Sequence, residues 1–388
     1  MKNITGLLIK ENRERLNLKQ EYLCKGICSV SYLSKIEKGN VIASNEIVKM
    51  LFNKLGIDFN NDEEFVKRGK KLFEEISRSL YFSIPMDKDK LEEIINNKSL
   101  YLNSPLNIDY RLFELFDSYN QVENTNILEY KEYMDNDQLY KAYLITGYIK
   151  GDINLLEESK RINYTAGVME QIAYIKFIEG KYYESIDIYL EALDLAYNEG
   201  CIKIQFDICT MLGHIYMNFN IPTMQKYYDK ALLLLKYMDN GRDYYIYYHM
   251  GIAYTSIDFT KAEAYLLEAL KMEGSEDKDP LEKLYQKLCF LYLKYDKREN
   301  AKIYYIKAKE INILKSVNEL IEIMIGDEDY IHSEEYLDKL IDIYNESKEN
   351  RKHSNTKFYG DFLIEAYKAN RKYKDALLVT EYLYRNQK

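Results

Sequence analysis

Five cysteines, four histidines and 63 carboxylates are the side chains from which chemistry could be built. Cys24 and Cys28 stand four residues apart, a spacing that could serve a metal. No second Cys or His pair follows at ligand spacing, and the two flank a turn between helices, so packing is the expected role. Cys201 and Cys209, about two turns apart on one potential helix, are read the same way, with no basic or metal context to make either thiol reactive. His214, His249, His332 and His353 form no His-Glu-x-x-His pattern. There is no Walker-type phosphate loop, no G-x-S-x-G elbow and no Rossmann glycine fingerprint. Carboxylates alternate with lysines as they do on a solvated helix face. The expectation is a chain that is not an enzyme and uses neither metal nor cofactor.

What remains is recognition without covalent chemistry, and residues 18–39 carry its strongest signal. They form two short amphipathic helices joined by a turn. Leu18, Leu23, Ile27, Leu33 and Ile36 supply the apolar contacts. Gly26 sits in the turn, where a positive φ costs a residue without Cβ little. Ser29 is a good N-cap for the second helix, and Gly39 a good residue to end it. A helix this short, with small polar residues at its start, suits a DNA major groove.

Composition agrees with an all-α chain. Only four prolines and 16 glycines interrupt 388 residues, 47% of which are apolar, and the apolar positions follow a 3.6-residue period. The 40 tyrosines are too many to act individually as ligands and are expected to pack helices with a polar tip outward. No apolar run approaches a membrane span and no signal-peptide pattern opens the chain, so the cytoplasm is the expected compartment and no membrane is expected as a partner. The net charge of −9 is asymmetric: residues 1–57 hold ten Lys/Arg and five Asp/Glu, leaving −14 for the remainder. A basic head on an acidic body fits a nucleic-acid contact confined to the head.

The head closely resembles the helix-turn-helix of lambda-repressor-like (Xre/Cro type) DNA-binding domains over about the first 57 residues. Gly6, Ile9 and Arg13 match that family's first helix, Gln20 its second, and Ile36 to Gly39 the end of its recognition helix. Asn12 stands where the family usually has an apolar residue, and Ala43 where proline is common. The resemblance implies that Ser29, Val30, Ser31, Tyr32 and Lys35 face the groove, that Gln20 holds a phosphate, and that Arg13 pairs with Glu37. Residues 58–80 read as a linker helix with an apolar stripe from Phe65 to Ile76, expected to help pair two subunits.

Residues 81–388 read as an array of helical hairpins. Ala192, Ala231, Ala269 and Ala308 recur every 38 or 39 residues, each preceded 18 or 19 residues earlier by a small residue: Ala173, Gly213, Gly251 and Cys289. The run from Gly180 to Leu193 resembles the tetratricopeptide (TPR) repeat, although the period exceeds the usual 34. Six to eight hairpins in a TPR-like right-handed α-superhelix are expected. A head of this type on such a body resembles the RRNPP family of peptide-pheromone regulators, with its PlcR-like, Rgg-like and arbitrium-receptor branches. That resemblance implies a DNA-binding transcription regulator acting in quorum sensing. Its partners would be double-stranded DNA with two half-sites, a second copy in a homodimer, and a short signalling peptide bound in the TPR concavity.

In the TPR pattern the first helix of each hairpin lines the groove. That mapping assigns Gln171, Tyr174, Asp207, His214, Asn218, Tyr245, Tyr248 and Gln286 to the peptide, with Ile252 and Phe290 also inward. Amide and imidazole groups can satisfy an extended peptide backbone while tyrosines bury its apolar side chains. A ligand-independent repressor that uses the repeats only to dimerise, and a TPR-type phosphorelay inhibitor or phosphatase, remain the alternatives.

Overall fold

The computed structural model describes residues 2–82, 84–117, 126–217, 220–238, 243–272, 278–350 and 353–385. Every regular element among them is helical. The chain divides into two compact units, Met1–Ile172 and Ala173–Lys388, each taken by itself below.

The first unit opens with α1 (Ile4–Arg15), α2 (Gln20–Cys24), α3 (Val30–Glu37) and α4 (Asn45–Leu55). Asn3, Ser29 and Ser44 cap α1, α3 and α4 by accepting hydrogen bonds from backbone amides in the first turn. Gly26, Gly39 and Gly56 take positive φ, so the turn and the end of α3 fall where the sequence places them, and Gly56 ends α4. The core joins Leu8, Ile9, Leu23, Leu33, Ile36, Leu51 and Phe52. Asn12 is buried in it, yet satisfied: its Nδ2 donates to the Leu8 carbonyl at 2.8 Å and its Oδ1 accepts from Arg15 at 2.8 Å. α1 crosses α3 so closely that a Cβ on Gly6 would overlap the Ile36 carbonyl.

Asp62 caps α5 (Glu63–Phe82), accepting from the amides of Glu64 and Phe65. Then follow α6 (Lys88–Asn96), α7 (Lys98–Leu102), α8 (Asn107–Asp117), a 3₁₀ helix (Ile127–Tyr133), α9 (Asn136–Lys150) and α10 (Ile153–Ile162). The stripe on α5 is covered within the chain: Leu72, Phe73 and Ile76 are buried with Ile94, Tyr101, Leu106, Tyr110 and Phe113, and Phe65 and Val66 pack against them. Leu72, Phe73 and Ile76 are therefore engaged within the chain, which leaves of that stripe only the half-buried Phe65 and Val66 for a second subunit. α8 belongs to two cores. Its Ile108, Leu112 and Leu115 join the core of α1–α4, while Tyr110 and Phe113 face α5. Polar contacts add to this docking. The Tyr130 hydroxyl donates to Glu11 at 2.9 Å, the Arg111 guanidinium lies 4.6 Å over the Tyr130 ring, and the Lys2 amide donates to the Glu132 carbonyl at 2.8 Å.

α11 (Ala166–Ile178) runs across the division between units. The second unit continues with α12 (Tyr182–Glu199), α13 (Ile202–Tyr216), α14 (Ile221–Leu235), α15 (Asp243–Tyr254), α16 (Phe259–Met272), α17 (Lys278–Lys294) and α18 (Arg298–Ile311). It ends with α19 (Lys315–Gly326), α20 (Glu334–Glu349), α21 (His353–Ala369) and α22 (Tyr373–Arg385). Consecutive helices form hairpins, and the small residues sit where the two arms touch. A Cβ on Gly213 would stand 2.6 Å from the Tyr228 ring, and one on Gly251 2.6 Å from Leu266. The Ser185 hydroxyl donates to the Ala173 carbonyl at 2.8 Å, and the Cys289 thiol to the Ala301 carbonyl at 3.4 Å. Ala192, Ala231, Ala269 and Ala308 are fully buried.

Because the atom that a Cβ at Gly6 meets is backbone, the clash cannot be relieved by a rotamer change. Gly6→Ala is expected to cost roughly 2–3 kcal/mol through overpacking. A chemical melt of the full chain, followed by far-ultraviolet dichroism, would show the transition at unchanged denaturant if α1 and α3 were not this close.

Candidate functional sites

In the head, α3 carries the candidate DNA face. Ser29, Val30, Ser31 and Lys35 are exposed, and Tyr32 is half-buried against the core. Ser29 accepts from the Tyr32 amide at 3.2 Å, and the Ser29 and Ser31 hydroxyls lie 3.2 Å apart. This edge offers two hydroxyls, one pair of methyls and one ammonium, the repertoire needed to meet base edges and a thymine methyl. Lys19, Lys25 and Lys38 are exposed around it, while Lys54 bonds the Lys25 carbonyl at 2.7 Å and so braces the turn.

A buried clamp holds α3 from behind. Glu37 is 3% exposed, and its carboxylate accepts from Arg13 Nε at 2.6 Å, Arg13 Nη2 at 2.9 Å and Gln20 Nε2 at 2.6 Å. Arg13 Nη1 donates to the Leu18 carbonyl at 2.9 Å. The bidentate pair expected between Arg13 and Glu37 is present, and the hydrogen bond to Glu37 holds the arginine pKa above its ordinary value. Gln20 gives one of its N–H groups to this clamp, a use the sequence did not disclose.

The peptide candidates separate into exposed and buried groups. Tyr174 on α11 and Tyr245 on α15 are 39% and 56% exposed. Asp207 on α13 is half-buried and accepts from Lys203 at 2.7 Å. His214 stacks edge-on between Phe177, at 5.7 Å, and His249, at 4.7 Å. Tyr248 is buried, stacked on Tyr244 at 6.0 Å and edge-on to His249 at 5.3 Å, and burial pushes its hydroxyl pKa well up. Gln286 is 2% exposed and faces protein: its amide donates to Asn318 at 2.9 Å and to Glu282 at 3.2 Å. Phe290, expected inward, is covered by Phe358, Tyr359 and Phe362 of α21 at ring separations of 5.2 to 5.8 Å. Gln171 is half-buried and falls in the first unit, apart from Tyr174, Asp207, His214, Tyr245, Tyr248 and Gln286 in the second. Asn218 lies outside the described residues.

Three groups here take roles that no sequence motif signals. Glu282, fully buried, caps the start of α19 by accepting from the Ile313 amide at 2.8 Å, the Leu314 amide at 3.1 Å and Asn318 at 2.8 Å. His249 has a buried Nδ1 with no hydrogen-bond partner, and burial and the neighbouring His214 hold its pKa well below the usual range, so it is neutral at physiological pH. His214 and His249 lie 35 residues apart, three short of the 38 between Gly213 and Gly251, so the repeat register gives no signal of their contact. Lys287 is 2% exposed, its Nζ has no hydrogen-bond partner, and it lies 3.6 Å over the Phe358 ring and 4.3 Å over Tyr359. Burial and Lys283 hold its pKa well below the ordinary lysine value. The thiol of Cys209 is pushed up to about 11 by burial, which leaves it unreactive.

Two outcomes follow from these geometries. Arg13→Met strands the Glu37 carboxylate and is expected to cost the head about 3–5 kcal/mol, less whatever solvent recovers. Replacing both residues, Arg13→Met with Glu37→Met, should cost less than the single change; thermal melts of the two variants decide it. Lys287→Met removes a buried amine that sheds its proton in the folded state but keeps it below about pH 10.4 when unfolded. Wild-type stability is therefore lost as pH falls below that value, towards the folded-state pKa. The variant should melt higher than wild type at pH 7, by a wider margin than at pH 9; an equal or reversed margin would contradict a depressed lysine pKa.

Residues 9–60 match the Helix-turn-helix family. No curated protein shows significant similarity to the chain. Among solved structures, the apo form of the competence regulator ComR from Streptococcus vestibularis is 14% identical, with 73% of this chain and 96% of that one covered at a TM-score of 0.32. Bacillus thuringiensis PlcR, solved with the peptide PapR7 and DNA, is 15% identical, with 84% and 100% covered at a TM-score of 0.22. Apo ComR from S. thermophilus is 14% identical, with 73% and 96% covered at a TM-score of 0.30. The segment formed by α1 to α4 is a helix-turn-helix domain of the Xre type.

Proposed function

We propose that this chain is a sequence-specific transcription regulator that reads double-stranded DNA through α3 and is controlled by a short peptide held on the repeat body. The observation that carries the reading is the exposed face of Ser29, Val30, Ser31 and Lys35 on a helix clamped from behind by Arg13, Gln20 and Glu37. The acidic remainder of the chain repels DNA, which confines the contact to the basic head. α3 has eight residues and spans too few base pairs for genomic specificity, so the chain acts as a homodimer on two half-sites about 34 Å apart or a multiple of that. Leu72, Phe73 and Ile76 of α5 are buried within the chain, so the proposed pairing draws on other residues.

The peptide reading rests on the resemblance of the hairpins to TPR repeats and on the polar and aromatic side chains along their first helices. Tyr174, Asp207, His214 and Tyr245 keep exposed or half-exposed surface, and with Asn218 they are the proposed contacts; Tyr248 and Gln286 are buried against other protein groups and are not among them. A peptide with a basic residue or free amino terminus suits the acidic body. It regulates only by binding one dimer geometry more tightly than another. Among the described residues no helix is long and apolar enough to cross a membrane, and the proposed compartment is the cytoplasm.

The test is selection of a DNA site from a random pool with the full chain, then titration with and without synthetic short peptides. Lys35→Ala is expected to weaken the selected site by about 1–3 kcal/mol if it reads a base, and Tyr245→Ala to weaken peptide binding without changing the melting temperature. Enrichment of no site would remove the DNA reading. A selected site whose affinity no peptide changes would leave the ligand-independent repressor.

A further inference from the structure

A cavity of about 160 Å³ lies in the first unit between α5, α8 and α9. Phe73, Ile76, Leu112, Phe113 and Phe116 give it an apolar floor, and Lys70, Glu74, Asp109, Asp135, Asp137 and Lys141 its polar edge. Three of these six groups are already engaged. Lys141 donates to Asp137 at 2.6 Å, and Asp135 caps α9 by accepting from the Gln138 amide at 2.9 Å. Asp109 keeps one acceptor unused: its Oδ2 is buried and meets no hydrogen-bond donor. Burial raises its pKa, opposed by a hydrogen bond from Gln138 and by the charge of Lys70. A buried acceptor left unsatisfied is costly, and a donor entering the cavity would relieve that cost.

We propose that this cavity binds a small amphipathic cation, a protonated amine carried on one ring or a short branched chain. The volume sets the size, since an engineered protein cavity of about 150 Å³ accepts a benzene ring. The aromatic floor sets the apolar body. Four carboxylates against two lysines, one of them paired, favour a cation over an anion. Leu112 lines this cavity and also belongs to the core of α1–α4, while Phe73 and Phe113 join α8 to α5. An occupant therefore braces α5 and α8 against each other, beneath the DNA-binding head.

The experiment uses the full chain with benzylamine, phenethylamine and isoamylamine, against benzyl alcohol and benzoate as neutral and anionic counterparts. Thermal shift and calorimetry are expected to show saturable binding of at least one amine, weaker binding of the alcohol and none of benzoate. Asp109→Asn should weaken the amine at least tenfold and bring it level with the alcohol. Ser77→Leu, which fills the cavity from α5 without touching the charge, should weaken both and serves if Asp109→Asn does not fold. Tyr245→Ala, in the other unit, should leave the amine response unchanged, which separates this site from the proposed peptide groove. Absence of any amine response, an equal response to benzoate, or undiminished amine binding by Asp109→Asn or Ser77→Leu would overturn the proposal.

Discussion

A single buried carboxylate organises the DNA-binding head. Glu37 lies at the end of α3, and the groups that satisfy it come from α1, through Arg13, and from the start of α2, through Gln20. An ion pair buried this way contributes less to stability than its Coulomb attraction implies, because both charges must leave water. What it supplies is orientation. Two parallel N–H···O bonds from a planar guanidinium fix the carboxylate's direction, and with it the rotation of α3 about its own axis. That rotation turns Leu33 and Ile36 inward and Ser31 and Lys35 outward. Gly6 completes the arrangement by letting α1 rest against the Ile36 carbonyl.

The head is not an isolated bead on a tether. α8 contributes Ile108, Leu112 and Leu115 to its core and turns Tyr110 and Phe113 towards α5. One helix thus couples the packing of the DNA-binding helices to that of the helix that follows them. Glu11, Tyr130 and Arg111 add a polar layer to the same junction, and burial contributes to holding the Tyr130 hydroxyl neutral, at a pKa of about 12. A change in the environment of α8 has a direct mechanical route to α1–α4.

In the second unit, size complementarity sets the spacing of each hairpin and polar staples fix particular neighbours. Gly213 and Gly251 admit Tyr228 and Leu266, so the arms of those hairpins approach closely. Glu282 then ties α17 to the start of α19 through backbone amides. The aromatic contact of α17 with α21 encloses Lys287 and covers Phe290. Of the residues expected to line the groove, this leaves Tyr174, Asp207, His214 and Tyr245 with surface to spare.

The sequence by itself determined the elements. The capping serine at 29, glycines at 26 and 39, and the 38- to 39-residue recurrence of small residues are local signals, and local signals suffice for helices, turns and hairpins. The Arg13–Glu37 pair was legible because the residues of the head match a known pattern. The partner of each exposed-looking stripe was decided only in three dimensions. The stripe from Phe65 to Ile76 is amphipathic whether it meets another subunit or Tyr101, Leu106 and Phe113, and periodicity cannot choose between them. Gln286 and Phe290 carry the inward register of their helix, yet Asn318 and α21, residues far along the chain, occupy the space they face. The Asp109 cavity was invisible for the same reason: a carboxylate oxygen without a donor is a property of what three separate helices fail to fill.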